Sequence, residues 1–163
     1  MKTKNIALRS AAAFMTLLCM IVIFLFSCED SDKSSNKSGA IAKVVVHIIE
    51  PDYDEMSAEE QQELMNKTEH IIRKLAHFTV YTALGFFASL TVGKRKMLSR
   101  GSAISLIFCF LYACSDELHQ YFVPGRACQF TDVLIDTSGA FTGIIITMVL
   151  FAATNRKANK VSG

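Results

Sequence analysis

Acidic residues are absent from three segments of the chain that are rich in lysine and arginine. These segments are the amino terminus through residue 28, the stretch 93–100 and the tail from residue 154 onward. All 15 acids lie instead in residues 29–69 or 116–136. Such a separation of charge is typical of a protein whose loops lie on opposite sides of a membrane, because basic loops stay in the cytoplasm.

Charged residues are also missing from long apolar runs. Residues 11–28 (AAAFMTLLCMIVIFLFSC) contain none, and their number approaches the roughly 20 residues that a helix needs to cross the hydrocarbon core. Three further apolar blocks follow at 75–92, 101–115 and 133–153. Only helices and closed barrels satisfy every backbone hydrogen bond in lipid, and these blocks are too long and uniformly apolar for barrel strands. The sequence therefore predicts an all-α membrane protein, a bundle of four transmembrane helices forming a single domain over residues 1–163.

The predicted spans cover about residues 11–28, 72–92, 101–120 and 133–153. By the positive-inside rule, both termini and the 93–100 loop are cytoplasmic. Residues 29–70 then form an extracytoplasmic segment, and we expect a multi-pass protein of the cell membrane with no nucleic-acid partner. The first block also resembles a cleaved signal, since residues 25–28 (LFSC) end in a cysteine like a lipoprotein box. Its length favours retention as a span, while cleavage would leave three spans.

The extracytoplasmic segment has three parts. Residues 29–39 (EDSDKSSNKSG) are polar and Ser-rich, so we expect a flexible connection. Residues 40–51 (AIAKVVVHIIEP) fit either a short strand or an amphipathic piece lying on the membrane. After them, Ser57 is followed three residues later by Glu60, a capping-box pattern that predicts the start of a helix. Nothing breaks that helix before Gly85, so it should run directly into the second span.

The five cysteines include no CxxC pair, so their spacing fits no zinc motif. Cys28 and Cys128 both lie on the predicted outer side and could form a disulfide in an oxidising compartment. No serine or cysteine occupies a recognisable nucleophile elbow. If the protein is an enzyme, activated water or direct transfer is therefore favoured over an acyl intermediate.

Polar and small residues fall on one face of each of the last three spans, at the three- and four-residue steps of a helix. They are Lys74, His77 and Tyr81; Ser102, Ser105, Cys109, Tyr112, Asp116 and Gln120; and Asp132, Asp136, Gly139 and Gly143. We expect these faces to turn inward. Asp136 would lie about 6 Å deeper than Asp132, where a charged side chain is usually paired or lines a wet cavity. Arg73, Lys74 and Arg126 supply cations at that level.

Two segments resemble the motifs of the VanZ-like family. KLAHFTVYTALG (74–85) is similar to its K-x-x-H-F-x-x-Y-x-x-L-G pattern, and DELHQYFVPGRACQFTDVLIDTSGAFTG (116–143) is similar to its D-E-x-x-Q-x-F-x-x-G-R run and the motif after it. The resemblance implies a polar set of Lys74, His77, Tyr81, Asp116, Glu117, Gln120, Arg126 and Asp132. The chain departs from the family at Asp136, where Asn is usual. The family is named for a protein linked to resistance against teicoplanin-type glycopeptides, which implies a protein of the cell envelope.

These residues suggest a site at the outer face for an anionic or lipid-linked molecule, such as a cell-wall precursor, besides the membrane lipids themselves. We expect Lys74 and Arg126 to bind a phosphate or carboxylate, with Tyr81 and Gln120 as further binding residues. His77 could act as acid or base, aided by Asp116, Glu117 or Asp132. A divalent metal on His77, Asp116, Glu117, His119 and Asp132 is conceivable, although no spacing requires it, and the cofactor and oligomeric state stay open. The alternative is a structural or antibiotic-shielding protein without catalysis.

Overall fold

The structure is a computed structural model that describes residues 2–29, 31–93, 100–126 and 128–161, with side chains over 6–29, 38–93, 100–126 and 128–154. All regular structure in these ranges is helical, as predicted. It comprises α1 (Lys2–Ser27), α2 (Ser31–Ile49), α3 (Ala58–Val92), α4 (Arg100–Gln120) and α5 (Phe130–Val161), with a short 3-10 turn at Tyr53–Glu55.

Four of these helices are long and apolar enough to cross a membrane, in agreement with the predicted number of spans. The segments are Ile6–Ser27, Ala58–Val92, Arg100–Gln120 and Phe130–Thr154. Their outward faces carry large apolar side chains such as Phe14, Ile107 and Val149, each more than half exposed. In a membrane, lipid chains would cover these apolar side chains, which would otherwise be exposed to water. Which end of the bundle faces the cytoplasm stays a prediction.

The expectation of a flexible connection was wrong for residues 31–39, and residues 40–49 do not form a strand. Both stretches belong to α2. Ser38, Ala42 and Val46 recur every four residues and are buried, and α2 packs along the first part of α3. Burial of this stripe stabilises a helix that local composition alone would not, because most helical stability in proteins comes from packing.

The capping box at the start of α3 is confirmed. The backbone N–H of Ser57 donates to Oε2 of Glu60 over 3.0 Å, and the backbone N–H of Glu60 donates to Oγ of Ser57 over 3.4 Å. From this cap α3 continues without interruption to Val92. One helix therefore links the segment outside the apolar bundle to its interior, as the sequence predicted.

Three glycines bring the backbones of α3 and α5 into direct contact. A Cβ added at Gly85 would overlap the carbonyl oxygen of Ala140, and one added at Gly143 would overlap that of Thr82. A Cβ at Gly139 would similarly strike the backbone of Phe78. The face of α5 that carries Gly139 and Gly143 thus turns inward, as predicted, and α3 and α5 form the most extensive interface of the bundle.

The apolar core lies between this pair and the other two long helices. Tyr81, Leu84, Cys109 and Ala113 are fully buried within it. The hydroxyl of Tyr112 donates to the carbonyl oxygen of Met20 over 2.7 Å and so ties α4 to α1. This packing fixes all four long helices around the polar residues at one end of the bundle.

Replacing Gly143 by Ala should strongly reduce the amount of folded protein. The added methyl group meets the backbone of α3, which cannot move aside as a side chain could, so we expect destabilisation of at least about 1–3 kcal/mol. Thermal unfolding of the detergent-purified protein measures this effect. The control is Gly39→Ala, whose methyl group would approach Oε1 of the Glu69 side chain at 3.1 Å. Equal melting temperatures for the two variants would contradict the contact argument.

The predicted orientation can be tested with the two exposed cysteines, Cys28 and Cys128. Both lie at the end of the bundle predicted to face outward. A membrane-impermeant maleimide should therefore label the protein in right-side-out membrane vesicles. Replacing both by Ser should remove most of the labelling, because Cys19 and Cys109 are buried and Cys114 is only partly exposed within α4. Labelling that requires permeabilised vesicles would show the opposite orientation.

Candidate functional site

A cavity of about 250 Å³ lies at the end of the bundle where α4 passes into α5. Helix α3 contributes His70, Arg73, Lys74 and His77; α4 contributes Glu117 and Gln120; the connection contributes Gly125, Arg126 and Gln129; and α5 contributes Asp132, Ile135 and Asp136. Almost all of these side chains are polar or charged. Such a wall is unusual for helices of this apolarity, and its polar groups offer hydrogen-bond partners to whatever enters the cavity.

Six of the eight predicted site residues line this cavity: Lys74, His77, Glu117, Gln120, Arg126 and Asp132. Tyr81 and Asp116 do not. Both are buried, with 0% and 4% of their surface exposed. The sequence interpretation did not assign His70, Gln129, Arg73 or Asp136 to a site, although Arg73 was noted as a nearby cation. His70 lies one helical turn before Arg73 and Lys74 on α3. Extending the polar face of this helix by one turn toward its amino terminus would have included His70 among the predicted site residues.

The cavity wall is held together by an ion pair between α3 and α5. Nζ of Lys74 lies 2.7 Å from Oδ1 of Asp132, and each side chain is about a quarter exposed (28% and 27%). Asp132 therefore pairs with Lys74. Because Asp132 already neutralises Lys74, this lysine is less available to a ligand than expected.

A chain of hydrogen bonds runs from Arg126 into the bundle. Nη1 of Arg126 donates to Oε1 of Gln120 over 3.2 Å, and Nε2 of Gln120 donates to Oδ2 of Asp116 over 3.2 Å. The same amide nitrogen lies 3.3 Å from Oγ of Ser27, at the end of α1. Gln120 thus positions both Arg126 and Asp116 and connects the cavity to the first helix.

Glu117 fixes the connection between α4 and α5. Its Oε2 accepts a hydrogen bond of 3.0 Å from the backbone N–H of Gln129, and only 1% of its surface is exposed. Within the connection, Gly125 adopts a left-handed φ of 73°, and the N–H of Arg126 donates to the carbonyl oxygen of Val123 over 3.1 Å. This turn directs Arg126 back toward the cavity. Glu117 thus positions the connection as well as lining the cavity, and its part in catalysis stays a prediction.

Two guanidinium groups face the cavity with unused donors. Nε of Arg73 and Nε of Arg126 are both buried, and neither has a hydrogen-bond partner in the described part of the chain. Burial lowers the pKa of Arg126 from its ordinary value, and the positive charge of Arg73 lowers it further. Two neighbouring cations with free donors make this part of the cavity attractive to an anion.

Deeper in the bundle than the guanidinium groups, His77 lies close to the buried carboxylates of Asp116 and Asp136. Nδ1 of His77 lies 3.7 Å from Oδ2 of Asp136, beyond hydrogen-bond distance, and the Asp136 side chain is 1% exposed. Asp116 completes a group whose nitrogen and oxygen donor atoms all lie within 4.8 Å of one another. Of the metal ligands considered from the sequence, only His77 and Asp116 belong to this group.

The other candidate ligand, His119, faces α1. Its Nε2 lies 3.4 Å from Sγ of Cys28, and its ring stacks on Phe24 with centroids 5.0 Å apart. Cys28 and Cys128 are both free thiols in the structure, so the disulfide considered from the sequence is not formed. His119 therefore has a local role in packing α4 against α1.

A model of the protein family described as VanZ/LLP1 matches residues 12–151 of the chain. The matched region includes every residue that lines the cavity. No curated protein and no solved structure matches the chain significantly.

The role of Glu117 can be tested by comparing Glu117→Gln with Glu117→Leu. The amide oxygen of Gln can still accept the hydrogen bond from Gln129, so the first variant should keep most of its stability. Leu has a similar size but no acceptor, and losing a hydrogen bond to a charged group costs about 1.5–3 kcal/mol. Thermal unfolding in detergent reports the difference. If Gln destabilises as much as Leu, the carboxylate does not act through this hydrogen bond.

Proposed function

Because the chain belongs to the VanZ/LLP1 family, we propose that it is a multi-pass protein of the cell membrane whose cavity binds the anionic group of a lipid or lipid-linked molecule. Four helices of membrane-spanning length support the first part. Arg100 begins α4 at the end opposite the cavity, and three basic residues precede it within residues 94–99 of the sequence, which supports an outward-facing site. The molecule would thus be reached from the outer leaflet.

The observation that carries this proposal is the pair of arginines with unused Nε donors, Arg73 and Arg126. A guanidinium group is planar and presents paired N–H donors that match the oxygens of a phosphate or carboxylate. An anion between the two would also relieve their mutual repulsion. Lys74 contributes less, since Asp132 already neutralises it. A phosphate group fits this arrangement best, because its three terminal oxygens can serve both arginines.

His77 supplies the chemistry that such a site would need. Its side chain is 17% exposed and lines the cavity, and imidazole exchanges protons near neutral pH. Asp136 lies on the Nδ1 side and would orient the ring, leaving Nε2 for the proton exchange. Reaction by activated water or by direct transfer is consistent with these groups.

A structural or antibiotic-shielding role without catalysis is the second candidate. It is favoured by Glu117 and Asp132, whose carboxylates already hold the connection and the two helices together. A contribution to teicoplanin-type glycopeptide resistance fits either candidate, and the family membership supports it. The two candidates differ in what a change at the arginines would do.

Replacing Arg126 by Gln should weaken the binding of a polyprenyl phosphate by about 10- to 100-fold, because a hydrogen bond to a charged group contributes about 1.5–3 kcal/mol. Arg73→Gln should act similarly. Retention of the radiolabelled lipid by the detergent-purified protein measures the affinity. Arg100→Gln is the matched control, since this exposed arginine begins α4 at the other end of the bundle. The corresponding polyprenol, which lacks the phosphate, should not distinguish the variants.

The same variants separate the two candidates. If the site acts on its ligand, Arg126→Gln and His77→Asn should lose any effect of the protein on teicoplanin susceptibility while the protein level stays unchanged. Under the structural candidate, susceptibility should follow protein level alone. Equal phosphate binding by Arg126→Gln, Arg73→Gln and the control would overturn the anion site itself.

A further inference from the structure

When both carboxylates below the cavity are ionised, they carry more negative charge than the surrounding residues neutralise. Asp116 and Asp136 are 4% and 1% exposed, and ionised groups so deeply buried are costly unless they are paired. Among the described residues, His77 is the only basic side chain within ion-pair distance of either. Lys74 is paired with Asp132, and the donors of Arg126 contact Gln120 and the carbonyl oxygen of Phe26.

Each of the four long helices contributes a different group to the surroundings of Asp116 and Asp136. From α1 comes the neutral Ser27, from α3 His77 and Tyr81, from α4 Asp116 and Gln120, and from α5 Asp136. Gln120 satisfies one oxygen of Asp116. Oδ2 of Asp136 has no hydrogen-bond partner in the described part of the chain. The group therefore has a net negative charge and an unsatisfied acceptor.

A second, independent observation comes from Tyr81. Its side chain is 0% exposed, yet its hydroxyl has no hydrogen-bond partner among the described residues. Tyr81 lies one helical turn after His77 on α3, and the charges of Asp116 and Asp136 both act on its hydroxyl. A buried hydroxyl beside two carboxylates would normally bond to one of them. Its lack of a partner indicates that another species belongs in the space between them.

We propose that His77, Asp116 and Asp136 bind a divalent cation at the floor of the cavity. Their donor atoms, one ligand from each residue, lie within 4.8 Å of one another, a separation that ligands sharing one ion can adopt. The ion neutralises both carboxylates, and a bound water completes the hydrogen bonding of Tyr81. His77 and Asp136 also line the cavity, so the remaining coordination positions open toward it.

The ligand set determines the class of ion. One imidazole nitrogen and two carboxylate oxygens favour Mn²⁺ or Zn²⁺, whereas Ca²⁺ and Mg²⁺ prefer sites made of oxygen alone. The inference does not depend on the anion proposal, because its three ligands do not include Arg73 or Arg126 and it requires no phosphate.

The full-length protein, purified in detergent and stripped with a chelator, should bind one Mn²⁺ per chain when titrated with the metal alone. Electron paramagnetic resonance counts the bound ion, and Zn²⁺ should compete for the same site. Pulsed measurements should detect coupling to an imidazole nitrogen in the wild-type protein. Asp136→Asn has nearly the same shape and should weaken binding at least about tenfold, since even the outer partners of metal ligands contribute that much.

Two controls locate the site. Glu63→Gln removes an exposed carboxylate of α3 that lies outside the cavity, and it should leave Mn²⁺ binding little changed. His77→Gln should abolish the nitrogen coupling. Absence of stoichiometric Mn²⁺ and Zn²⁺ binding to the wild-type protein would overturn the proposal, as would a wild-type signal without nitrogen coupling. Equal affinity of Asp136→Asn and wild type would do so too, and none of these results bears on phosphate binding at the arginines.

Discussion

The backbone contact between α3 and α5 is the constraint on which the remaining structure depends. At Gly85, Gly139 and Gly143 the two helices approach so closely that no side chain fits between them. Close packing of this kind fixes the relative translation of the helices as well as their distance. One or two turns away, the same alignment places Lys74 against Asp132 and His77 against Asp136. The charged pairs are therefore consequences of an apolar, backbone-level fit.

The charges of the cavity are arranged in two levels. Arg73 and Arg126 provide donors on one level, while Asp116 and Asp136 supply acceptors below them. The carboxylates of Glu117 and Asp132 hold the connection and the two helices together. Fewer charged groups are therefore free for chemistry. An anion and a cation could thus occupy neighbouring parts of one small volume, each attracted by the local sign of charge.

The sequence allowed prediction of the four long helices, because uncharged runs of membrane-spanning length have few alternative structures. It also allowed prediction of the inward polar faces, because helical periodicity determines them. Helix α2 was missed since its stability comes from burial against α3. The separate roles of Asp116 and Glu117 were missed for a geometric reason. Adjacent residues on a helix point in directions roughly 100° apart, so one faces His77 and the other faces the connection.

The amide of Gln120 has a consequence for how the two levels communicate. Its oxygen accepts from Arg126 and its nitrogen donates to Asp116, and rotating the amide by half a turn would place like polarity against both charges. The amide of Gln120 therefore has one stable orientation, with its oxygen toward Arg126 and its nitrogen toward Asp116. A ligand that draws Arg126 away would remove the hydrogen bond to the amide oxygen of Gln120. The amide would then be free to rotate, and its hydrogen bond to Asp116 would weaken. Binding of a ligand at Arg126 would thereby change the hydrogen bonding of the buried Asp116 through one uncharged side chain.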